Sequence, residues 1–294
     1  MARKEVSGTM ERKKRAVRLT MFGCAALLFL LGALLTGGGE HHESIQETMR
    51  DAVLHTTAKI ALPGIEVNPG LVSAFTVSGV LILLALLVRL LVIPRFQVQP
   101  KGLQLLLEQL VGLFDGLAKS NSPHKNRFLG AYVFTAGTYI FVGTVFELFG
   151  VQAVTTHGES ISLPAPLSDI NGAIALGVLS YCVILSGGVA ANGLKGVGMT
   201  LKDFSLPISM SFRLFGALLS GALVTELVYY YIHLSFVLPV VVGVLFTLLH
   251  ALIQAYVLTM LTALFYGEVS EPAPKKEKKP KKSQVREVPG QTHS

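Results

Sequence analysis

The stretch PISMSFRLFGALLSGALVTE, residues 207–226, contains one basic residue in an otherwise apolar segment. Arg213 is the only Lys or Arg between Lys202 and Lys275. An arginine at the centre of a membrane helix costs about 2.5–3.5 kcal/mol, and Arg213 lies about 16 Å along a helix from Lys202. Snorkelling to an interface is the alternative, but this depth favours a fixed positive charge that attracts a mobile carboxylate and blocks direct passage of cations.

Small residues follow the arginine on one face of the same helix. Gly216, Ala217, Ser220 and Gly221 recur at i, i+1, i+4 and i+5. Such a stripe lets a second helix approach closely. Small residues also allow close packing between helices of the same chain. Because this stripe begins at Arg213, however, it predicts a surface that contacts another membrane helix.

A polar stripe lies on the next apolar segment. Thr247, His250 and Gln254 fall at i, i+3 and i+7, which places them on one helix face. All three could simply form hydrogen bonds between helices, and for Thr247 we favour that interpretation. For His250 a place on a proton path stays open beside it, because imidazole titrates close to neutral pH.

Three acidic residues lie in or beside apolar segments. Glu147 and Glu226 carry carboxyl groups that would be protonated there if they were unpaired. Asp169, in PAPLSDIN, precedes an apolar run. It is suited to cap a helix N-terminus, and a role at the mouth of a channel is the equally open alternative.

The composition indicates a membrane protein. Of 294 residues, 51% are hydrophobic and 15% are charged, with a mean hydropathy of +0.57, whereas soluble domains carry about 25% charged residues. A membrane span needs about 20 apolar residues. Six segments meet or approach this length: Leu19–Leu35, Leu71–Ile93, Phe128–Val151, Ile170–Ala190, Leu206–Leu234 and Ser235–Tyr266. The first is short and follows a basic cluster, so it is either a cleaved signal sequence or a retained helix.

The net charge of +7 is concentrated at the two ends of the chain. Residues 1–18 carry +5 and residues 271–294 carry +4, which leaves −2 for the rest and argues against a nucleic-acid partner. We therefore divide the chain into a basic N-terminal segment (1–40), a membrane domain (41–270) and a Lys-rich disordered tail (271–294). For this tail we favour a solvated state, with contact to anionic lipid headgroups as the alternative. Lys and Arg recur in alternate loops, which predicts a cytoplasmic C-terminus.

One further segment is amphipathic rather than uniformly apolar. Residues 101–118 (KGLQLLLEQLVGLFDGLA) place leucines at helical spacing, interrupted by Glu108 and Asp115. This pattern favours a helix that lies in the cytoplasmic interface of the membrane. The fold class expected overall is all-α, multi-pass and transmembrane.

Three motifs together resemble a known family. Residues 207–216 (PISMSFRLFG) are similar to the P-x-S-L-x-x-R-L-F-G motif of ATP synthase subunit a, and residues 254–262 (QAYVLTMLT) resemble its Q-A-[FY]-[IV]-F-x-x-L-T stretch. Residues 166–171 (PLSDIN) resemble its P-[ST]-A-D-[VIL]-N segment. The resemblance implies a long membrane-embedded helical hairpin that contacts a ring of c subunits, with Arg213 facing the essential carboxylates of the ring.

The chain departs from the family pattern at three polar positions. Ala217 stands where the family usually has Asn, Ala222 where it has Glu or His, and Thr247 where it has His or Glu. Glu226 is one turn beyond Ala222, and His250 is three residues beyond Thr247. We hypothesise that Glu226 and His250 have taken over the proton relay.

The resemblance implies an ion-conducting stator subunit of the F-type ATP synthase membrane sector, with two proton half-channels that couple proton flow to rotation. It implies no catalytic site of its own and no cofactor or metal. The implied partners are the c-subunit ring, the b-subunit peripheral stalk, the remainder of the complex and membrane lipids, in a bacterial inner membrane. In this interpretation Arg213, Gln254, Glu226, His250 and Asp169 serve translocation. The alternative is a self-contained secondary transporter that uses Arg213 to bind an anionic substrate.

Overall fold

Helices dominate the part of the chain that the computed structural model describes, which is residues 20–21, 23–24, 31, 60–62, 65–123, 127–156, 158, 160–230 and 238–271. Seven α-helices lie in these residues: α1 (Pro69–Leu87), α2 (Leu103–Asn121), α3 (Arg127–Phe146), α4 (Ile170–Asn192), α5 (Leu194–Leu201), α6 (Ser205–Tyr230) and α7 (Leu238–Ser270). Two small antiparallel hairpins accompany them: β1 (Ile60–Leu62) with β2 (Ile65–Val67), and β3 (Gln152–Val154) with β4 (Ser160–Ser162). The expected all-α, multi-pass class is confirmed.

Among the described residues, four helical segments are long and apolar enough to cross a membrane, and a bent pair of helices brings the number to as many as five. The four are Pro69–Arg95, Arg127–Phe149, Ile170–Asn192 and Gly243–Ser270. The bent pair joins Leu194–Leu201 to Ser205–Gly221 at an angle of 50°. All the expected spans from Leu71 onward are therefore helical, although residues 231–237 are not described. The expected span Leu19–Leu35 and the tail 272–294 lie outside the described residues, apart from isolated helical positions in the former.

Side chains just before two helices fix where those helices begin. Asn68 precedes α1, and its Oδ1 accepts a hydrogen bond from the backbone N–H of Gly70 at 3.1 Å. Pro69 occupies the first turn, where its missing N–H is not needed. Asp169 precedes α4 in the same way, with its Oδ1 accepting from the backbone N–H of Asn171 at 3.1 Å. The capping role expected of Asp169 is confirmed.

The core lies between α3, α4, α6 and α7. Its fully buried large side chains include Leu129, Ile140, Ile184, Met210 and Leu214. Met210 and Leu214 belong to α6 and flank the arginine in sequence. Because these two side chains face the core, the rotation of α6 about its own axis is set by packing.

Glycines allow two of the closest helix contacts. A Cβ at Gly177 of α4 would meet Ser211 Oγ and would lie 2.9 Å from the carbonyl oxygen of Pro207, so α4 and α6 touch backbone to backbone. At Gly137 of α3 a Cβ would lie 2.5 Å from the ring of Phe114. The absence of a side chain at Gly137 therefore makes room for Phe114 of α2 to pack on α3.

The C-terminal ends of α2, α4 and α7 meet at one end of the bundle. Asn192 Nδ2 donates to the carbonyl oxygen of Val269 at 3.1 Å, and the hydroxyls of Ser122 and Ser270 lie 3.3 Å apart. The helix expected within residues 101–118 is confirmed as α2. It buries Phe114 and Ala118 and exposes a row of leucines, Leu103, Leu106 and Leu113 among them. Its position in the membrane interface remains a prediction.

Gly177→Val tests the contact between α4 and α6. Valine would collide with the backbone of α6, and overpacking of this kind costs about 1–3 kcal/mol. We expect a lower melting temperature for the detergent-solubilised chain, measured by circular dichroism. The matched control is Gly79→Val on α1, where an added Cβ has no neighbour within 4 Å. Equal melting temperatures for the two variants would contradict the contact.

Candidate functional site

Arg213 lies on the exposed side of α6. Arg213 and the preceding Phe212 are both exposed, Phe212 by 64%, whereas the next residue, Leu214, is fully buried. Within the described residues the guanidinium forms no hydrogen bond or ion pair. A permanently charged group in an apolar helix is costly, so this side chain requires a negatively charged partner or water.

The small residues after Arg213 divide between two faces of α6. Gly216 and Ser220 are exposed on the same side as the arginine. Ala217 and Gly221 are half-buried and line a cleft that also contacts α3 and α7. The stripe therefore offers a flat outer surface and, on its inner edge, room for a small cavity.

The polar stripe of α7 faces inward. Thr247 and His250 are half-buried, and Gln254 is only 5% exposed. The Nδ1 atom of His250 lies 2.8 Å from the carbonyl oxygen of Phe246, and the two rings are stacked with centroids 5.6 Å apart. A carbonyl oxygen can only accept, so Nδ1 carries the proton and Nε2 of the neutral ring is free to accept one.

The end of α3 completes the cleft beside His250. Thr144 is buried and Glu147, in the 3₁₀ turn that follows α3, is half-buried, and both line the cleft together with Thr247 and His250. The cleft has a volume of about 20 Å³, which is room for about one water molecule. Sequence reasoning names Glu147 only as a carboxyl near a span and does not connect it with His250. The sequence signal for Glu147 is an acidic residue at the end of an apolar run, and this signal does not indicate which residue Glu147 lies beside.

The hairpin of α6 and α7 places Gln254 level with Arg213. The cleft brings Ala217 and Gly221 beside Phe246 and His250. Because only seven residues of sequence separate the end of α6 from the start of α7, we infer that the two helices are antiparallel. One turn farther in the same direction along both helices, Arg213 and Gln254 reach the same level. They share no hydrogen bond within the described residues, because Gln254 faces the core and Arg213 faces outward.

Gln254 also has an unusual local environment. Its Oε1 atom is buried and has no hydrogen-bond partner in the described part of the chain, and the same is true of Thr138 Oγ1 on α3. A buried acceptor without a partner costs about 1–3 kcal/mol. An amide that needs a polar neighbour is therefore held in the core at the level of the arginine.

Two other expected site residues lie away from the cleft. The backbone of Glu226 is in α6, five residues beyond Gly221, or about 7.5 Å farther along the helix and away from Arg213. Asp169 is half-buried at the start of α4, and its Cβ lies 2.7 Å from the position that a Cβ on Gly70 would occupy. Neither residue is among those that line the cleft.

Comparison with known proteins gives a consistent result. Residues 73–267 match the family model described as ATP synthase A chain. Two relatives named ATP synthase subunit a, from two strains of Cereibacter sphaeroides, are each 28% identical over 206 residues. Each alignment covers 66% of this chain and 78% of the relative. The matched region contains Arg213, the α7 stripe and the cleft.

Gln254→Leu tests whether the buried amide oxygen destabilises the isolated chain. Leucine removes the unpartnered acceptor, so we expect a melting temperature in detergent that is unchanged or higher. The control is Thr259→Val on the same helix, because the Thr259 hydroxyl is buried and donates to the carbonyl oxygen of Ala255 at 2.6 Å. We expect the control variant to melt earlier than wild type. A clear loss of stability in Gln254→Leu would mean that Oε1 has a partner in solution.

Proposed function

Because the chain belongs to the ATP synthase A chain family, we propose that it is the stator subunit that conducts protons through two half-channels to and from a ring of c subunits. The family supports a proton-translocating subunit of the F-type membrane sector. The observation that carries the finer proposal is the guanidinium of Arg213, exposed on an apolar helix and without a partner in the described residues. A rotor carboxylate supplies the missing negative charge.

The proposed rotor-facing surface combines the outer faces of α6 and α7. On α6 it contains Arg213, Gly216 and Ser220, with Ala217 and Gly221 at its inner edge. On α7 it contains large exposed side chains, among them Leu252, 59% exposed, and Tyr256, 56% exposed. Small residues beside the arginine let a ring helix approach, and the large side chains of α7 keep water away from the contact.

The proposed cycle begins in an outer half-channel. Glu226, His250 and Asp169 bring a proton from the outer solution to a ring carboxylate. The neutral carboxyl group then rotates through lipid, where a charged carboxylate would be too costly to bury. After nearly a full circuit an inner half-channel drains the proton, and Arg213 attracts the newly formed carboxylate.

Arg213 and Gln254, which lie at the same level of the hairpin, have different roles in this cycle. Arg213 stays charged at any physiological pH, so it cannot carry the proton and separates the two half-channels. Gln254 supplies a polar group on the core side of the hairpin, at the level of the arginine. Its unpartnered oxygen is consistent with a partner that is present only in the assembled complex.

The proposed setting is the inner membrane of a bacterium. The C-terminus is cytoplasmic, the b-subunit stalk holds the chain against the ring, and nucleotide chemistry takes place in other subunits. The membrane potential contributes about 2.3 kcal/mol per proton per 100 mV. Several protons per ATP are therefore needed.

Arg213→Ala tests the central charge. In vesicles that carry the assembled complex we expect ATP-driven proton pumping to disappear, because no fixed charge attracts the rotor carboxylate. Pumping is measured by quenching of a pH-sensitive dye, and assembly is checked by co-purification of the c subunits. Lys119→Ala, which removes an exposed charge paired with Asp115 on α2, is the control and should pump normally. Wild-type coupled pumping in an assembled Arg213→Ala complex would contradict the proposal.

Glu226→Gln tests the outer half-channel separately. Glutamine keeps the size of the side chain but cannot bind and release a proton, so we expect potential-driven proton flux to fall while the complex still assembles. Flux is measured in vesicles stripped of the catalytic sector. Glu108→Gln, at an exposed position of α2, is the matched control. Wild-type flux through the Glu226→Gln complex would remove Glu226 from the path.

A further inference from the structure

We propose that the Glu147 carboxyl and the His250 imidazole form a proton-binding site in the cleft between α3, α6 and α7. This inference rests on the proposed function and adds to it a group from a third helix. The site lies one helical turn from the level of Arg213 and Gln254, on the side toward Glu226. It is the last protein station on the outer path before the rotor.

The cleft has the chemistry that a proton station needs. Glu147 supplies a carboxyl group that accepts no hydrogen bond within the described residues. His250 supplies a ring nitrogen, Nε2, that is left free because Nδ1 is held by the carbonyl oxygen of Phe246 at 2.8 Å. One titratable group can therefore release a proton and the other can accept it.

The surroundings hold the two groups in place. The hydroxyl of Thr144 donates to the carbonyl oxygen of Ile140 at 2.7 Å and so remains an acceptor toward the cleft. Stacking on Phe246 fixes the plane of the imidazole. The turn that carries Glu147 closes with a hydrogen bond from the backbone N–H of Gly150 to the Glu147 carbonyl oxygen at 3.2 Å.

Small side chains leave room for water between the groups. Ala217 and Gly221 line the cleft from α6, where larger residues would fill it. The volume of about 20 Å³ admits about one water molecule, and a bound water needs two to four polar neighbours. The carboxyl, the imidazole and the two threonines at the cleft provide them.

The proton transfers balance as follows. The Glu147 carboxylate takes a proton from a hydronium ion in the outer solution, which breaks an O–H bond of the hydronium, leaves water and forms the O–H bond of the acid. The acid passes this proton, directly or through the bound water, to Nε2 of His250, which breaks the O–H bond and forms an imidazolium. The imidazolium releases its Nε2 proton to a water molecule, which breaks the N–H bond and returns the ring to its neutral form. The hydronium formed in this way protonates the ring carboxylate.

The position of Glu147 gives it a role distinct from that of Glu226. Glu147 lines the same cleft as His250, whereas the backbone of Glu226 lies about 7.5 Å along α6 beyond Gly221. Transfer over a single water needs groups within a few ångströms of one another. Glu147 is therefore the partner of His250, and Glu226 lies nearer the entrance of the path.

The test compares proton flux through Glu147→Gln, His250→Gln and the double variant in vesicles that carry the assembled complex. We expect each single variant to reduce flux on the order of a hundredfold, the scale of general acid–base catalysis. The double variant should be no slower than the slower single variant, because both groups act in one path. Glu147→Asp should restore part of the flux, and Glu108→Gln should conduct normally.

The outcomes separate this inference from the proposed function. If Glu147→Gln conducts at the wild-type rate while Arg213→Ala abolishes coupled pumping, the site is wrong and the stator function stands. If Arg213→Ala also pumps normally, the stator function is wrong.

If Glu147→Gln fails to assemble, the second test uses Glu147→Cys in a chain whose Cys24 and Cys182 are replaced by Ser, so that the introduced thiol is the one labelled. Labelling of that thiol by a membrane-impermeant reagent from the outer side would support the site, and complete protection would overturn it.

Discussion

A permanently charged guanidinium on an apolar helix is the constraint on which the rest of this structure depends. Arg213 cannot lose its proton, and within the described residues no carboxylate pairs with it. Met210 and Leu214 of α6 are buried in the core, whereas Arg213, Gly216 and Ser220 of the same helix are exposed. The backbone contact at Gly177 fixes the rotation of α6 about its own axis. The fold thus holds the charge at a surface where a negative partner can reach it.

The same helix separates two environments. Its outer face carries the charge beside Gly216 and Ser220, and its inner edge, at Ala217 and Gly221, borders a polar cleft. Under the proposed function, residues one position apart in sequence face the rotor on one side of α6 and water on the other. One helix with small residues then serves both contacts.

The sequence predicts most of the fold but only part of the site. The fold depends largely on local sequence patterns, whereas the site depends on contacts between helices that are distant in the sequence. Spans are predictable because crossing a bilayer needs about 20 apolar residues, and Arg213 stands out against such a background. Sequence also places the helix cap at Asp169, which depends on neighbouring residues alone. The cleft at Glu147 and His250 depends on how α3 packs against α7, and no local pattern contains that information. The 50° bend between α5 and α6 and the two hairpins likewise arise from packing and turn geometry.

The buried amide of Gln254 sets stability against the proposed function in the same hairpin. A buried acceptor without a partner, as its Oε1 is within the described residues, costs about 1–3 kcal/mol, and a leucine would remove that acceptor. Under the proposed function, Gln254 supplies a polar group at the level of Arg213 on the core side of the hairpin. Glu147 and His250 line the cleft one turn away. In the proposed cycle, one helical turn therefore separates the groups that carry protons from the charge that blocks them.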